Sequence, residues 1–180
     1  MKPKVVRCTI FACVVALTAF VGSYLYAATS NFLVSGATIE HSAFFDGPAT
    51  MSVREFTVAP GETLPWHYHP GVVLVAVKSG TLVHEEGCGH EQIYGAGQAF
   101  EKFDHDVHRA KNLSSEPAVL YDTFITPAGQ PLSVNIPNNE RLCGPPVNIG
   151  SCRYGNWTNF TFPRVFNNQG DCEQWVITRK

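Results

Sequence analysis

The stretch Gly61–Gly80, GETLPWHYHPGVVLVAVKSG, holds two histidines one residue apart, His67 and His69, and then an unbroken apolar run from Val72 to Val77. In an extended strand, side chains two positions apart share a face, so the two imidazoles stand side by side on one wall. Pro70 and Gly71 mark a turn, and the run after them reads as a second strand folded back over the first. Two imidazoles on a rigid strand are half of a metal site. The other half lies in GQAFEKFDHDVHRAKN, residues 97–112, where Gly97 opens another apolar run, His108 follows eleven residues later, and Asn112 lies four beyond it.

Outward from this stretch, turn signals recur every eight to twelve residues and no long helical period is visible. MSVREFTVAPG (51–61), TLVHEEG (81–87), AVLYDTFITPAG (118–129) and the short LSVNIP (132–137) read as strands closed by Gly or Pro, and residues 31–48 as a weak opening strand and turn. This is the pattern of an all-β sandwich or barrel.

Composition is that of an ordinary globular chain light in charge: of 180 residues, 44% are hydrophobic, 12% aromatic and 16% charged. The formal charge is −2. MKPKVVR, at the N-terminus, is basic, and the 21 residues from Cys8 to Ala28 carry no charge. Small residues then precede Thr29, Ser30 and Asn31. Residues 1–28 read as a secretory signal cleaved near Ala27 or Ala28, with an uncleaved membrane anchor as the rival, since about 20 apolar residues span a bilayer. Both readings export the remainder. Without Lys2, Lys4 and Arg7 the chain is more acidic still, which argues against nucleic acid as a partner. The partners expected are a small-molecule ligand, the membrane only through an uncleaved N-terminal segment, and a second copy of the chain as a homodimer.

Export changes how the cysteines read. Cys8 and Cys13 fall in the N-terminal segment, leaving Cys88, Cys143, Cys152 and Cys172. An even number in an oxidising compartment suggests disulfides. Three connectivities are open; pairing Cys88 with Cys143 and Cys152 with Cys172 is favoured, because the second pair lies in a separable tail. No Cys-x-x-Cys spacing supports a zinc site instead. The expected organisation is a β domain over 31–143, a linker over 144–151, and a disulfide-stapled tail over 152–180.

Together the two histidine stretches resemble the cupin signature. Gly61, His67, His69 and Gly80 fit its first motif, and Gly97, His108 and Asn112 its second. Val73 stands where the family has a metal-binding Glu, and Phe103 and His105 where it has Pro and Gly. The resemblance implies a jelly-roll β-barrel with three of the four usual ligands kept. Residues 50–143 are similar to a branch of exported bacterial cupin-domain proteins that also tends to lack the carboxylate. Residues 152–180 are similar to a short two-cysteine module at the ends of exported bacterial proteins.

A lone histidine is usually structural; three at this spacing point to a metal held by His67, His69 and His108. Imidazoles suit zinc, iron, nickel, copper and, less well, manganese. Three neutral ligands leave the ion's double charge uncancelled and at least one coordination position open. Glu101 is the first candidate to replace the missing carboxylate, and His84 is a second residue within reach of the site. Phe100, Phe103, Val73, Val75 and Phe124 are candidates for an apolar lining, and Tyr68 for the outer layer. No nucleophile elbow, phosphate loop or paired carboxylate is present, and no general acid or base is evident beside the histidines. The function expected is a metal-dependent enzyme, a dioxygenase, isomerase or lyase, on a small oxygenated substrate. The alternatives are a non-catalytic metal or ligand-binding module at the cell surface, and a metal-free interaction surface.

Overall fold

A computed structural model describes residues 28–103 and 105–179. The N-terminal segment assigned above to a signal or anchor therefore lies, apart from Ala28, outside the described residues; among the described ones, no helix is long and apolar enough to cross a membrane.

Among the described residues ten strands follow in order: β1 (Thr29–Ile39), β2 (Ala49–Val58), β3 (His67–Tyr68), β4 (Val72–Ser79), β5 (Thr81–Glu86), β6 (Glu91–Gly95), β7 (Ala99–Lys102), β8 (His108–Lys111), β9 (Ala118–Pro127) and β10 (Val134–Asn135). They form two five-stranded sheets, β1-β2-β9-β4-β7 and β10-β3-β8-β5-β6. Every pairing is antiparallel. The expected all-β jelly roll is the architecture found.

Alternation along β9 shows how sequence becomes layer. Ala118, Leu120, Asp122, Phe124 and Thr126 are buried, while the residues between them are more exposed. With Phe56 and Val58 of β2, Val73, Val75 and Val77 of β4, and Leu82 of β5, the apolar members form the core between the sheets. Gly80, between β4 and β5, carries the chain from one sheet to the other. Its φ of +77° and a neighbouring Pro117 carbonyl, 2.4 Å from where a Cβ would sit, leave room only for glycine.

Two expectations need correction. The opening strand is not weak: β1 runs eleven residues along β2, although most of it is exposed. Helix is also present. Helix α1 (Gln169–Thr178) is capped by Asn168, whose side chain accepts from the Asp171 N–H, and it buries Cys172 and Trp175 at i, i+3 spacing. The Asn with an acid three residues on is a helix-start signal that the Asn- and Gly-rich composition concealed.

Both favoured disulfides are formed, Cys88–Cys143 and Cys152–Cys172. Cys152 and Cys172 sit with Phe160, Phe166 and Trp175 in a small core of their own. Phe162 joins that segment to the barrel by packing with Tyr68, Trp66, Val107 and Ile136 on the outer side of the second sheet. Gly144, Pro145 and Pro146, at the start of the expected linker, are buried, and Gly144 O accepts from Val107 N–H.

Candidate metal centre

His67 opens β3, His69 lies just past its end, and His108 opens β8. His67 and His108 face each other directly in the β3–β8 register. The ring centroids are 4.5 Å apart for His67 and His108, and 5.0 Å for His69 with each of the other two. One potential ligand atom from each ring lies within 4.8 Å of the others. Bonds of about 2.0–2.1 Å to a common ion require ligand atoms about 3–4 Å apart, so a small closure brings the set to coordination distance.

Each ring is held by the same device. Nδ1 of His67 donates to Pro65 O (2.8 Å), Nδ1 of His69 to Leu132 O (2.7 Å), and Nδ1 of His108 to Asp106 O (2.7 Å). A carbonyl can only accept, so the proton sits on Nδ1 in all three rings, and Nε2 carries the free lone pair. A second partner that fixes tautomer and orientation is what metal-ligating histidines ordinarily have. Burial holds all three rings well on the neutral side: it lowers His67, takes His69 down to about 3, and lowers His108 well below the usual imidazole range. Neutral Nε2 donors suit a transition ion.

The histidines line a cavity of about 50 Å³ between the two sheets. At roughly 10–15 Å³ per water on this measure, it admits only a few water-sized molecules. Val73, Val75, Phe100 and Phe124 form its apolar wall, as expected. Tyr68 points the other way, stacked on His105 and against Phe162.

The expected replacement carboxylate is not at the site. Glu101 is exposed on the outer side of β7, opposite Leu74, and its neighbours Phe100 and Lys102 take the inward positions. Strand alternation forbids all three from facing the cavity. Phe103, expected in the lining, is 55% exposed. His84 does reach the cavity wall, on β5 beside His108, but lies outside the three-histidine group.

Three charged residues in the lining escaped the sequence reading. Arg54 of β2 donates to Asp122 of β9 (2.8 Å) and lies over the Phe56 and Phe124 rings. Burial raises the Asp122 carboxyl despite that partner. Lys102 is buried with its ammonium bonded to Glu86 (3.0 Å) and Asp106 (3.2 Å). Alternation through Phe100 was the signal for Lys102; Arg54 and Asp122 become partners only through the β2–β9 register.

Residues 54–124 match the cupin domain family. The matched span runs from β2 to β9, contains all three histidines, and supports placing the chain in the cupin superfamily. It covers less than half of the 180 residues, and the C-terminal segment lies beyond it. Val73, where the resemblance places the family's carboxylate, is 1% exposed, and the ligand group found among the described residues is three imidazoles. Solved structures similar to this chain include a double-stranded β-helix domain protein from Klebsiella pneumoniae, at 18% identity and a TM-score of 0.46, with 61% of this chain and 84% of that one covered. They also include the polyketide cyclase RemF from Streptomyces resistomycificus, at 16% identity and a TM-score of 0.49, covering 63% and 74%. A cupin superfamily protein from Desulfitobacterium hafniense is similar at 13% identity and a TM-score of 0.43, covering 55% and 77%. No curated protein matches the sequence.

Proposed function

We propose that this chain is an exported metal-dependent cupin enzyme that acts on a small oxygenated, anionic substrate, by a reaction of the dioxygenase, isomerase or lyase type. One observation carries the reading: three neutral imidazoles, each pinned through Nδ1 and so left with a free Nε2, line one small cavity between the sheets. Three protein ligands leave coordination positions open, which is the arrangement of catalytic rather than structural sites. A bound divalent ion would supply Lewis acidity toward an oxygen of the substrate or water.

The chain's own residues select what enters. With no carboxylate in the ligand group among the described residues, a bound divalent ion would keep its full double charge. The Lys102 ammonium in the wall adds to it, partly offset by Glu86 and Asp106. Both favour an anion. Val73, Val75, Phe100 and Phe124 exclude water and strengthen these interactions by lowering the local dielectric. The small volume limits the reacting end of the substrate to a few heavy atoms.

The two disulfides support an oxidising, exported location. The basic and then apolar start of the chain supports delivery by a signal or anchor, and residues 152–180 are read as the stapled terminal module of such proteins. A non-catalytic binding module remains the second reading, favoured by one observation: among the described residues, no unpaired carboxylate joins the histidines to serve as a base.

The test is elemental analysis of purified protein beside His67→Ala and His69→Ala, followed by turnover assays on small phenols, keto acids and uronates with iron, manganese, nickel, copper and zinc. Stoichiometric metal lost in both variants, with turnover, supports the enzyme. Stoichiometric metal without turnover supports the binding module. Equal metal content in all three proteins removes the metal reading.

A further inference from the structure

His84 is buried, at 2% exposure, on β5. Its ring lies 5.1 Å from that of His108 and 5.1 Å from Phe100, on the cavity wall. Its Nε2 is buried and has no hydrogen-bond partner among the described residues; no other buried side-chain nitrogen or oxygen there is in this position. A buried polar atom without a partner is costly, and in native proteins such an atom has a cause, a catalytic role or a bound species among them.

The surroundings narrow what that species is. The β5–β8 register sets His84 opposite Ala110, two residues along from His108, so both rings reach the same cavity from neighbouring strands. Yet His84 is outside the group whose ligand atoms lie within 4.8 Å of one another. It stands beside the ligand set without belonging to it. A group so placed meets a molecule attached at the open position of the ion.

We infer that His84 is a substrate-contacting residue: its Nε2–H donates a hydrogen bond to an anionic ligand bound at the open position of the three-histidine centre. This rests on the metal reading above. It gives a definite role to His84, which the sequence places only within reach of the site, since nothing in TLVHEEG marks it as facing His108 rather than solvent.

The test uses cobalt(II) as the metal and azide as the anion, with the visible d–d bands of cobalt as the readout. Wild type, His84→Leu and His84→Gln are loaded with cobalt and titrated with azide. The expected result is one cobalt per chain in all three, with cobalt affinity changed less than about threefold, and azide affinity about tenfold or more weaker in His84→Leu. His84→Gln keeps a donor and recovers most of the loss. Should His84→Leu not fold, His84→Phe, which extends the contact with Phe100, takes its place. Azide affinity unchanged in the apolar variants overturns the inference and leaves the metal centre standing. Cobalt affinity reduced thirtyfold or more, with altered bands before azide is added, overturns it in favour of direct ligation. No cobalt uptake by wild type overturns the metal reading and this inference with it.

Discussion

His67 and His108 occupy facing positions on β3 and β8, 41 residues apart in the chain and with ring centroids 4.5 Å apart. This one pair of backbone positions joins the two halves of the site. Replacing His108 with Ala is expected to weaken zinc or cobalt binding by more than about a hundredfold. An ion present at about a hundred times its dissociation constant stabilises by about 2.7 kcal/mol, which for a chain of this length raises the melting temperature by about 5–10 °C. Calorimetry with and without a chelator should show that difference in wild type and none in His108→Ala. Equal chelator effects in both proteins would remove the centre from the fold's stability.

Acid should destabilise the metal-free protein. His69 and His84 are held down to about 3, in both cases chiefly by burial, against about 6.5 in the unfolded chain. Between those values the unfolded chain binds protons on these rings that the native state does not. Stability is therefore complete above about pH 6.5 and declines as the pH falls toward 3. Each ring contributes a slope of about 1.4 kcal/mol per pH unit once the unfolded form is mostly protonated. Urea melts of metal-free protein from pH 7 to pH 4 measure it, and a slope equivalent to less than half a proton contradicts neutral burial.

Arg54 and Asp122 form an ion pair inside the barrel, their side chains 22% and 6% exposed. Removing one partner of a buried pair strands the other. Arg54→Met should cost about 3–5 kcal/mol by leaving the Asp122 carboxylate unpaired, while Arg54→Met with Asp122→Leu should recover most of that loss. Urea denaturation of the two variants decides it; equal loss in both would assign the pair's contribution to packing.

Cys152 and Cys172 are 20 residues apart and lie in the small C-terminal core. Closing a loop of that length contributes about 3 kcal/mol in the chain-entropy account. Cys152→Ser with Cys172→Ser should make residues 147–179 susceptible to limited proteolysis while β1 to β9 stay resistant. Mass spectrometry of the fragments reads this out. A barrel cleaved at the same rate would show that the two units fold as one.

Much of the fold was legible because strand alternation and turn residues are local. His67 and His69 announce a shared face two residues apart, and Gly80 announces the bend after Val72–Val77. Glu101 and Lys102 show where such reading stops. One of them must face the cavity, but parity counted from Phe100 requires knowing that Phe100 faces inward, and that follows only from the pairing of β7 with β4. Helix α1 escaped because two buried residues, Cys172 and Trp175, make too narrow a stripe to register as a period.

The amino-acid order alone pointed to the class of fold and to the three imidazoles, because alternation, turn residues and the spacing within each histidine stretch are local, and it favoured one of three cysteine connectivities; the closed pairs Cys88–Cys143 and Cys152–Cys172 come from the fold. The inward Lys102, the Arg54–Asp122 pair and the unpartnered Nε2 of His84 depend on which strand lies beside which, and in what register. Register is a property of two segments at once: it is set by burial of whole faces across the barrel, so no single stretch of this chain encodes it.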